Sequence, residues 1–393
     1  MNTFAVVRKY SLDFWFLCFS SFLFFGSITM VLPELPGYLR KLEGEEYLGF
    51  IIGLSTLAAA LSRPFSGKLA DVWGRIPVMV IGSVVGFVVC LFYPFISSVT
   101  GLLMLRFFHG FATGFKPTGT SAFVSDIISP QNRGEAMGLS SFFASTGMAC
   151  GPILGSIIYL NFGIDSLFYA SAATSLVSIL ILSKLKETLP SKSSFQPKML
   201  KIKLSDVFEP TVWPASLVMG LSMVAFGTLL TLSPDFSDHL GIPNRGMVFF
   251  FYTIASMAAR GFGGKLSDRL GRVAVLKISL LIIFISMSFI GFANTPYMLY
   301  SAALIYGLGN GLTNPTLYAW TIDLCPDHLR GRGMSTLYMF LEIGIGLSSM
   351  LAGSFYQQDP SRFPIIFGLS GLLSFIGFAY LMVNRKNLSP INS

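Results

Sequence analysis

The stretch GKLADVWGR occupies residues 67–75, and GKLSDRLGR occupies 264–272. The two phrases share Gly, Lys, Leu, Asp, Gly and Arg in register and stand 197 residues apart in a chain of 393. A phrase repeated at half the chain length implies a duplicated unit, and other residues repeat at the same offset. Arg63 matches Arg260, Gly110 matches Gly307, Gly114 matches Gly311 and Asp126 matches Asp323. RGEAMG at 133–138 matches RGRGMS at 330–335, and PELPGYL at 33–39 has an echo in PDFSDHL at 234–240.

The material between these phrases is apolar. The chain is 53% hydrophobic and 12% charged, with mean hydropathy +0.67, whereas a soluble domain is about one-quarter charged. Twelve apolar runs approach the roughly 20 residues a helix needs to cross a bilayer. They lie at 11–33, 47–66, 76–95, 102–127, 136–159, 166–185, 212–232, 247–264, 274–292, 298–324, 334–355 and 365–383. The expected fold is therefore an all-α integral membrane protein.

The net charge of +8 is distributed as topology. With the N-terminus inside, the outer loops hold only Arg40, Lys41, Arg245 and Arg362, Arg106 and Lys116 lie within spans, and the remaining Lys and Arg fall at cytoplasmic ends and loops. That asymmetry is the positive-inside signature and predicts both termini in the cytoplasm. It also makes nucleic acid a poor partner for the basic balance. The first run follows Arg8 and Lys9 but is too long for a signal-peptide core and has no small-residue cleavage site, so it reads as a retained helix. No outer loop carries one of the four cysteines, and no metal-ligand spacing, phosphate loop or nucleophile–base grouping occurs. No cofactor is expected.

Each repeated phrase falls on the same side of the membrane in both copies, so spans 1–6 and 7–12 read as parallel repeats. The expected division is 1–185, a linker at 186–206, and 207–393. The linker is Lys-rich and polar, with a short amphipathic surface helix expected at its end.

Twelve spans, paired halves and the phrase after span 2 resemble the major facilitator superfamily across essentially the whole chain. The signature G-x-L-a-D-r-x-G-R is met here by Gly67, Leu69, Asp71, Gly74 and Arg75, and by Gly264, Asp268, Gly271 and Arg272 in the second copy. Val72 and Trp73 depart from it. GLSSFFASTGMACGPILGS at 138–156 is similar to the span 5 motif of drug:proton antiporters, through Gly138, Gly147, Gly151, Pro152 and Gly155, with Ser156 in place of the last Gly. RFFHG at 106–110 resembles R-x-x-Q-G with His109 for Gln, and Pro33 and Pro36 resemble the paired prolines closing span 1. The resemblance implies two six-helix bundles rocking about a midplane site, working as a monomer in an inner membrane. Compact loops and short termini suggest a bacterial one.

Physical chemistry gives these residues roles. Asp71, near the start of helix 11, is favoured by that helix's positive end, and Arg75 and Asp126 complete a cytoplasmic gate. Asp268, Arg272 and Asp323 repeat it, and Gly67 and Gly264 are expected to bring helices close. Gly147, Gly151 and Gly155 share a face expected to pack on helix 8, with Pro152 bending helix 5. A charge near the bilayer centre costs about 2.5–3.5 kcal/mol on insertion scales, so it marks function. Glu342 is read as the proton-coupling carboxylate, with Lys116 its expected partner. Glu34 is the competing proton site, paired with Arg106. His109 reads first as a hydrogen-bonded packing residue and second as a relay, and Asn310 and Asn314 are expected to line the cavity. The reading is a proton-coupled antiporter that exports a small amphipathic molecule, anionic or zwitterionic. The alternatives are an importer of a small metabolite or sugar and, from another class, a membrane-embedded sensor or enzyme.

Overall fold

A computed structural model describes residues 10–129, 133–189, 196, 208–326 and 330–383. Among them every regular element is helical. The long helices are α1 (Leu12–Met30), α2 (Phe50–Val72), α3 (Arg75–Phe92) and α4 (Val99–Ile127). A continuous run, Arg133–Leu182, breaks at Gly163, whose φ of 82° and ψ of 178° are not helical, into arms α5 (133–162) and α6 (164–182). Then come α7 (Trp213–His239), α8 (Met247–Leu270), α9 (Arg272–Gly291), α10 (Pro296–Leu324), α11 (Arg330–Tyr356) and α12 (Phe363–Val383). A short helix, Leu35–Lys41, follows α1, with Pro36 in its first turn.

Local chemistry sets several boundaries. Ser11, Ser98 and Thr295 accept from the amides of Phe14, Gly101 and Met298, capping α1, α4 and α10. Gly74 (φ 143°) and Gly271 (φ 88°) turn the chain between α2 and α3 and between α8 and α9, in a region that disfavours any Cβ. That is the backbone reason for glycine near the end of both copies of the opening phrase.

Eight helical stretches among the described residues are long and apolar enough to cross a membrane. α4, α8 and α10 are not among them. They carry Arg106 and Lys116, Arg260, and Asn310 and Asn314, side chains turned toward other helices.

α1 packs along α5 and α6, α2 along α4, and α3 along α4 and the α5–α6 run; α7 packs on α11 and α12, α8 on α10, and α9 on α10 and α12. Serines interlock α1 with α6: Ser27 Oγ donates to the Ser171 carbonyl, and Ser171 Oγ to the Ser27 carbonyl, both at 2.8 Å. The two groups of helices meet along two seams, α2 with α11 and α5 with α8.

Both seams are tight at one end only. At the end away from Asp71, a Cβ on Gly346 would lie 2.7 Å from Thr56 Oγ1, and one on Gly246 2.6 Å from the Ile153 nitrogen. At the end that carries the repeated phrases, nothing lies within 4 Å of a Cβ built on Gly67 or Gly264. The expectation that these two glycines hold helices together is thus not met here, because the seams are parted beside them.

Three expectations fall on other residues. The linker helix and most of the linker, the chain termini, and the side chains of Arg133, Gly134 and Glu135 lie outside the described residues.

Candidate functional site

Between the seams lies a cavity of about 1000 Å³. Its wall runs from Leu32, Ile52 and Arg106 in the interior to Lys68, Asp71 and Arg332 at the parted end. Phe25, Ile28, Phe226, Leu230, Leu341 and Ile345 make much of it apolar. Asp71 and Glu342 are the acids on this wall among the described residues. Asp71 stands at the mouth with its side chain 73% exposed, while that of Glu342 is 7% exposed.

Glu342 is paired, but not with Lys116. Arg63, from α2 across the seam, donates to Glu342 Oε1 through Nη2 at 2.6 Å and Nε at 3.3 Å. Its guanidinium also stands 4.8 Å over the Tyr338 ring. The positive-inside count places Arg63 at the cytoplasmic end of span 2, whereas the structure turns it into the cavity. The signal that marks it is its match to Arg260 in the repeat. Removing one partner of a buried ion pair costs about 3–5 kcal/mol, so the pair is a tie between the two groups of helices.

Lys116 lies outside the cavity, between α1, α4 and α6. Its amine donates to the Ser20 carbonyl at 2.8 Å and to Ser20 Oγ and Ser178 Oγ at 2.7 Å, and stands 4.8 Å from the Phe24 ring centroid. The serines that interlock these helices supply its acceptors, so no carboxylate is needed.

Arg106 does reach the cavity wall, but much of its guanidinium is held by its own group of helices. Nε donates to the Ile51 carbonyl at 2.8 Å and Nη1 to His109 Nδ1 at 3.2 Å. A guanidinium only donates, so His109 Nδ1 accepts and its proton sits on Nε2. That nitrogen is buried and has no partner among the described residues. Asn310 and Asn314 are absent from the cavity wall. Asn310 Oδ1 accepts from Tyr252 Oη and Asn314 Nδ2, each at 3.0 Å, inside the second group of helices. Tyr318, one turn further on, lines the cavity instead.

Glu34 is not with Arg106. Oε2 accepts from Arg245 Nη1 at 2.5 Å and Oε1 from Ser156 Oγ at 2.6 Å. Arg245 also binds Asp238, and Arg40 pairs with Asp235. Four chain segments thus form a charged plug between the two groups at the closed end. The sequence places Arg40 and Arg245 in outer loops, where a lone arginine gives no sign of its partner.

At the parted end each repeated phrase folds on its own group of helices. Arg75 binds Asp71 at 2.9 Å and Asp126 at 3.0 Å. Arg272 binds Asp268, and Asp323 at 2.9 Å. Asp71 is exposed rather than seated on α11. Two partners escape the sequence reading. Glu187 accepts from the amides of Arg75 and Ile76 at 3.0 Å, capping α3. Glu209 accepts from Arg332 Nε at 2.9 Å. Burial pushes the Glu209 carboxyl up, but hydrogen bonds from Arg332 and Thr211 outweigh this and hold it below the ordinary carboxylate range.

The small face of α5 also meets a different neighbour. A Cβ on Gly147 would come within 3.0 Å of the Gly26 nitrogen, and one on Gly151 within 2.5 Å of the Gly26 carbonyl. The face therefore packs on α1 within its own group, while Pro152 and Ile153 meet Gly246 beside α8.

The sequence profile of the Major Facilitator Superfamily matches residues 17–247 and 245–392. The multi-drug resistance efflux pump PmrA of Streptococcus pneumoniae is 27% identical over 357 residues, covering 86% of this chain and 87% of that protein. The multidrug resistance protein MdtG of Salmonella arizonae is 25% identical over 353 residues, 84% of each chain. Among solved structures, the human organic anion transporter MFSD10 (TETRAN) superposes with a TM-score of 0.73 at 18% identity, covering 95% of this chain and 100% of that one. A bacterial homologue of the human lysosomal transporter Spinster, inward-facing and occupied, gives 0.75 at 14% identity, covering 95% and 96%. With a family match across nearly the whole chain and helices arranged like those of solved transporters, this multi-pass membrane protein belongs to the major facilitator superfamily, a family of transporters and not of enzymes.

Proposed function

We propose that the protein exports a small amphipathic organic molecule in exchange for protons, with Glu342 as the coupling carboxylate. The chain crosses the inner membrane of a bacterium twelve times as a monomer. Its two bundles, 1–185 and 207–393, are joined by the linker at 186–206, and both termini are cytoplasmic. The parted end that carries Asp71 is then the cytoplasmic one, and the cavity is the inward-open form of the alternating-access cycle.

The observation that carries this reading is the Arg63–Glu342 pair. It joins the two bundles, lies in the cavity wall and contains the wall's one shielded carboxylate among the described residues. Protonating Glu342 removes the charge that holds Arg63 and so loosens the tie between the bundles. Proton entry supplies about 2.3 kcal/mol per charge per 100 mV, besides the pH term, which suffices to concentrate a cargo. Relatives named as multidrug efflux pumps support the outward direction. At the opposite end, the Glu34–Arg245 and Arg40–Asp235 pairs act as the outer gate, and Asp71, Arg75, Asp126 and their repeat Asp268, Arg272 and Asp323 as the cytoplasmic one.

The test uses everted membrane vesicles with an acidified lumen and a pH-sensitive dye. A panel of amphipathic zwitterions, anions and cations is added. A transported compound should drain protons from vesicles with the wild-type protein and leave Glu342→Gln vesicles unresponsive. An equal response from both would move the coupling site away from Glu342.

A further inference from the structure

The repeat makes a second cross-seam pair visible. Arg63 and Arg260 hold the same position in the two copies, and at the same 197-residue offset the counterpart of Glu342 is Ser145. In space the correspondence holds. As Arg63 of α2 reaches Glu342 of α11, Arg260 of α8 reaches Ser145 of α5, with Nη1 donating to Ser145 Oγ at 3.1 Å. One seam thus has arginine and carboxylate, and the other has arginine and a hydroxyl. No ion pair joins Arg260 to an acid among the described residues, and its Nε is buried without a hydrogen-bond partner. Arg260 is half-buried with its Nε shut from solvent, and a guanidinium so placed answers best to an acidic group, which marks this as an anion position.

Arg260 lies beside the cargo space. Met148, one turn from Ser145 on α5, lines both the main cavity and a small pocket between α5 and α8. Thr253, two turns before Arg260 on α8, lines that pocket too. Tyr318 of the main cavity wall lies in the electrostatic field of both Arg63 and Arg260.

The other end of the cargo follows from the exchange mechanism proposed above, on which this inference rests. In exchange, cargo and proton must exclude each other at Glu342, and linkage makes that exclusion mutual. A cationic group does this because it needs Glu342 ionised, and it would replace Arg63 over the Tyr338 ring. A purely anionic cargo does the reverse, since it favours the protonated carboxyl and would travel with the proton.

We propose that the cargo is an amphipathic zwitterion: its cationic nitrogen takes the place of Arg63 at Glu342, and its acidic group bonds Arg260 as Glu342 bonds Arg63 in the other seam. Arg63 and Ser145 then mark the two sites from which the protein yields, and the apolar wall between them holds the body of the molecule.

The test uses purified protein in proteoliposomes and charge triplets on a common aromatic body. One triplet is 2-naphthylalanine (zwitterion), its methyl ester (cation) and its N-acetyl derivative (anion). A second is the same set on biphenylalanine. The readout is compound-driven proton flux against concentration. The zwitterion should lead each triplet. Arg260→Gln should weaken its apparent affinity by about ten- to a hundredfold, the worth of a charge-assisted hydrogen-bond contact, with the loss confined to the acid-bearing member. Ser145→Glu, which seats a tethered carboxylate on Arg260, should give the same selective loss, and Arg260→Lys should keep part of the preference. Esters that outperform zwitterions, or variants that weaken both forms equally, would overturn the zwitterion and leave proton-coupled export standing. Anions that move together with protons, or silence from every compound, would overturn both.

Discussion

Lys116 and Glu342 are both buried charges, and their surroundings separate them. Lys116 rests on hydroxyls and a carbonyl within one bundle, where Ser20 and Ser178 also bond each other at 2.9 Å. Replacing it by Met leaves those serines satisfied by one another. Lys116→Met should therefore keep both the folded yield and the compound-driven proton flux of the wild type; lost flux with intact folding would return Lys116 to the coupling machinery. Arg63 is the opposite case, because its removal strands a buried carboxylate. Arg63→Gln should cost about 3–5 kcal/mol, and adding Glu342→Gln should restore most of it, read as thermal unfolding in detergent. Additive losses would mean that the two side chains are not energetically paired. At this scale the sequence marked Arg106, Lys116 and Glu342 as charges within spans, but it missed Arg63 and gave none of their partners. Residues 63 and 342 lie 279 positions apart, and only the packing of α2 on α11 brings them together. Glu34 and Arg245 are the same kind of contact, and hydropathy carries no trace of either.

Among the elements, α5 carries the clearest prediction. Gly147 and Gly151 admit no Cβ against the α1 backbone, whereas a Cβ on Gly26 of α1 would lie 3.6 Å from the Gly147 carbonyl, an ordinary contact. Gly147→Ala and Gly151→Ala should each lose about 1–3 kcal/mol, while Gly26→Ala should be tolerated, measured as thermal stability by size-exclusion of detergent-solubilised protein. Equal tolerance at all three sites would contradict this packing. Helix existence was legible, because it follows from the length of each apolar run along the chain. The small face of α5 was legible too. Its partner was not, since spacing shows that a face is narrow without showing which helix fills it. α8 was the expected partner, and α1 is the one observed.

Across the whole molecule, the two ends are held in opposite ways. The closed end has tight seams and the plug of Glu34, Arg245, Asp238, Arg40 and Asp235; the parted end has two self-contained charge triads. If the bundles rock, removing the plug should favour opening there. Arg245→Gln should raise the labelling rate of a cysteine placed at Thr56 by a membrane-impermeant thiol reagent applied from the outside. An unchanged rate would show that the plug does not restrain the gate. Conversely, Gly67→Leu fills space that must vanish if the parted end closes, and should hold the molecule in the form seen here. The half-length repeat exposed this architecture from sequence, because duplication leaves matched residues at a fixed offset. It could not reveal which end is shut, since nothing in the matched residues marks a seam as tight or parted.

The most direct test of the account separates carrying from coupling. In proteoliposomes, wild-type protein and Glu342→Gln are compared for proton-driven accumulation of a transported zwitterion and for exchange of labelled against unlabelled compound without a gradient. The account predicts that Glu342→Gln loses accumulation but still exchanges, at raised compound concentration, because the cargo's nitrogen loses its ionic partner while alternation continues without a proton site. Accumulation undiminished in Glu342→Gln would contradict it.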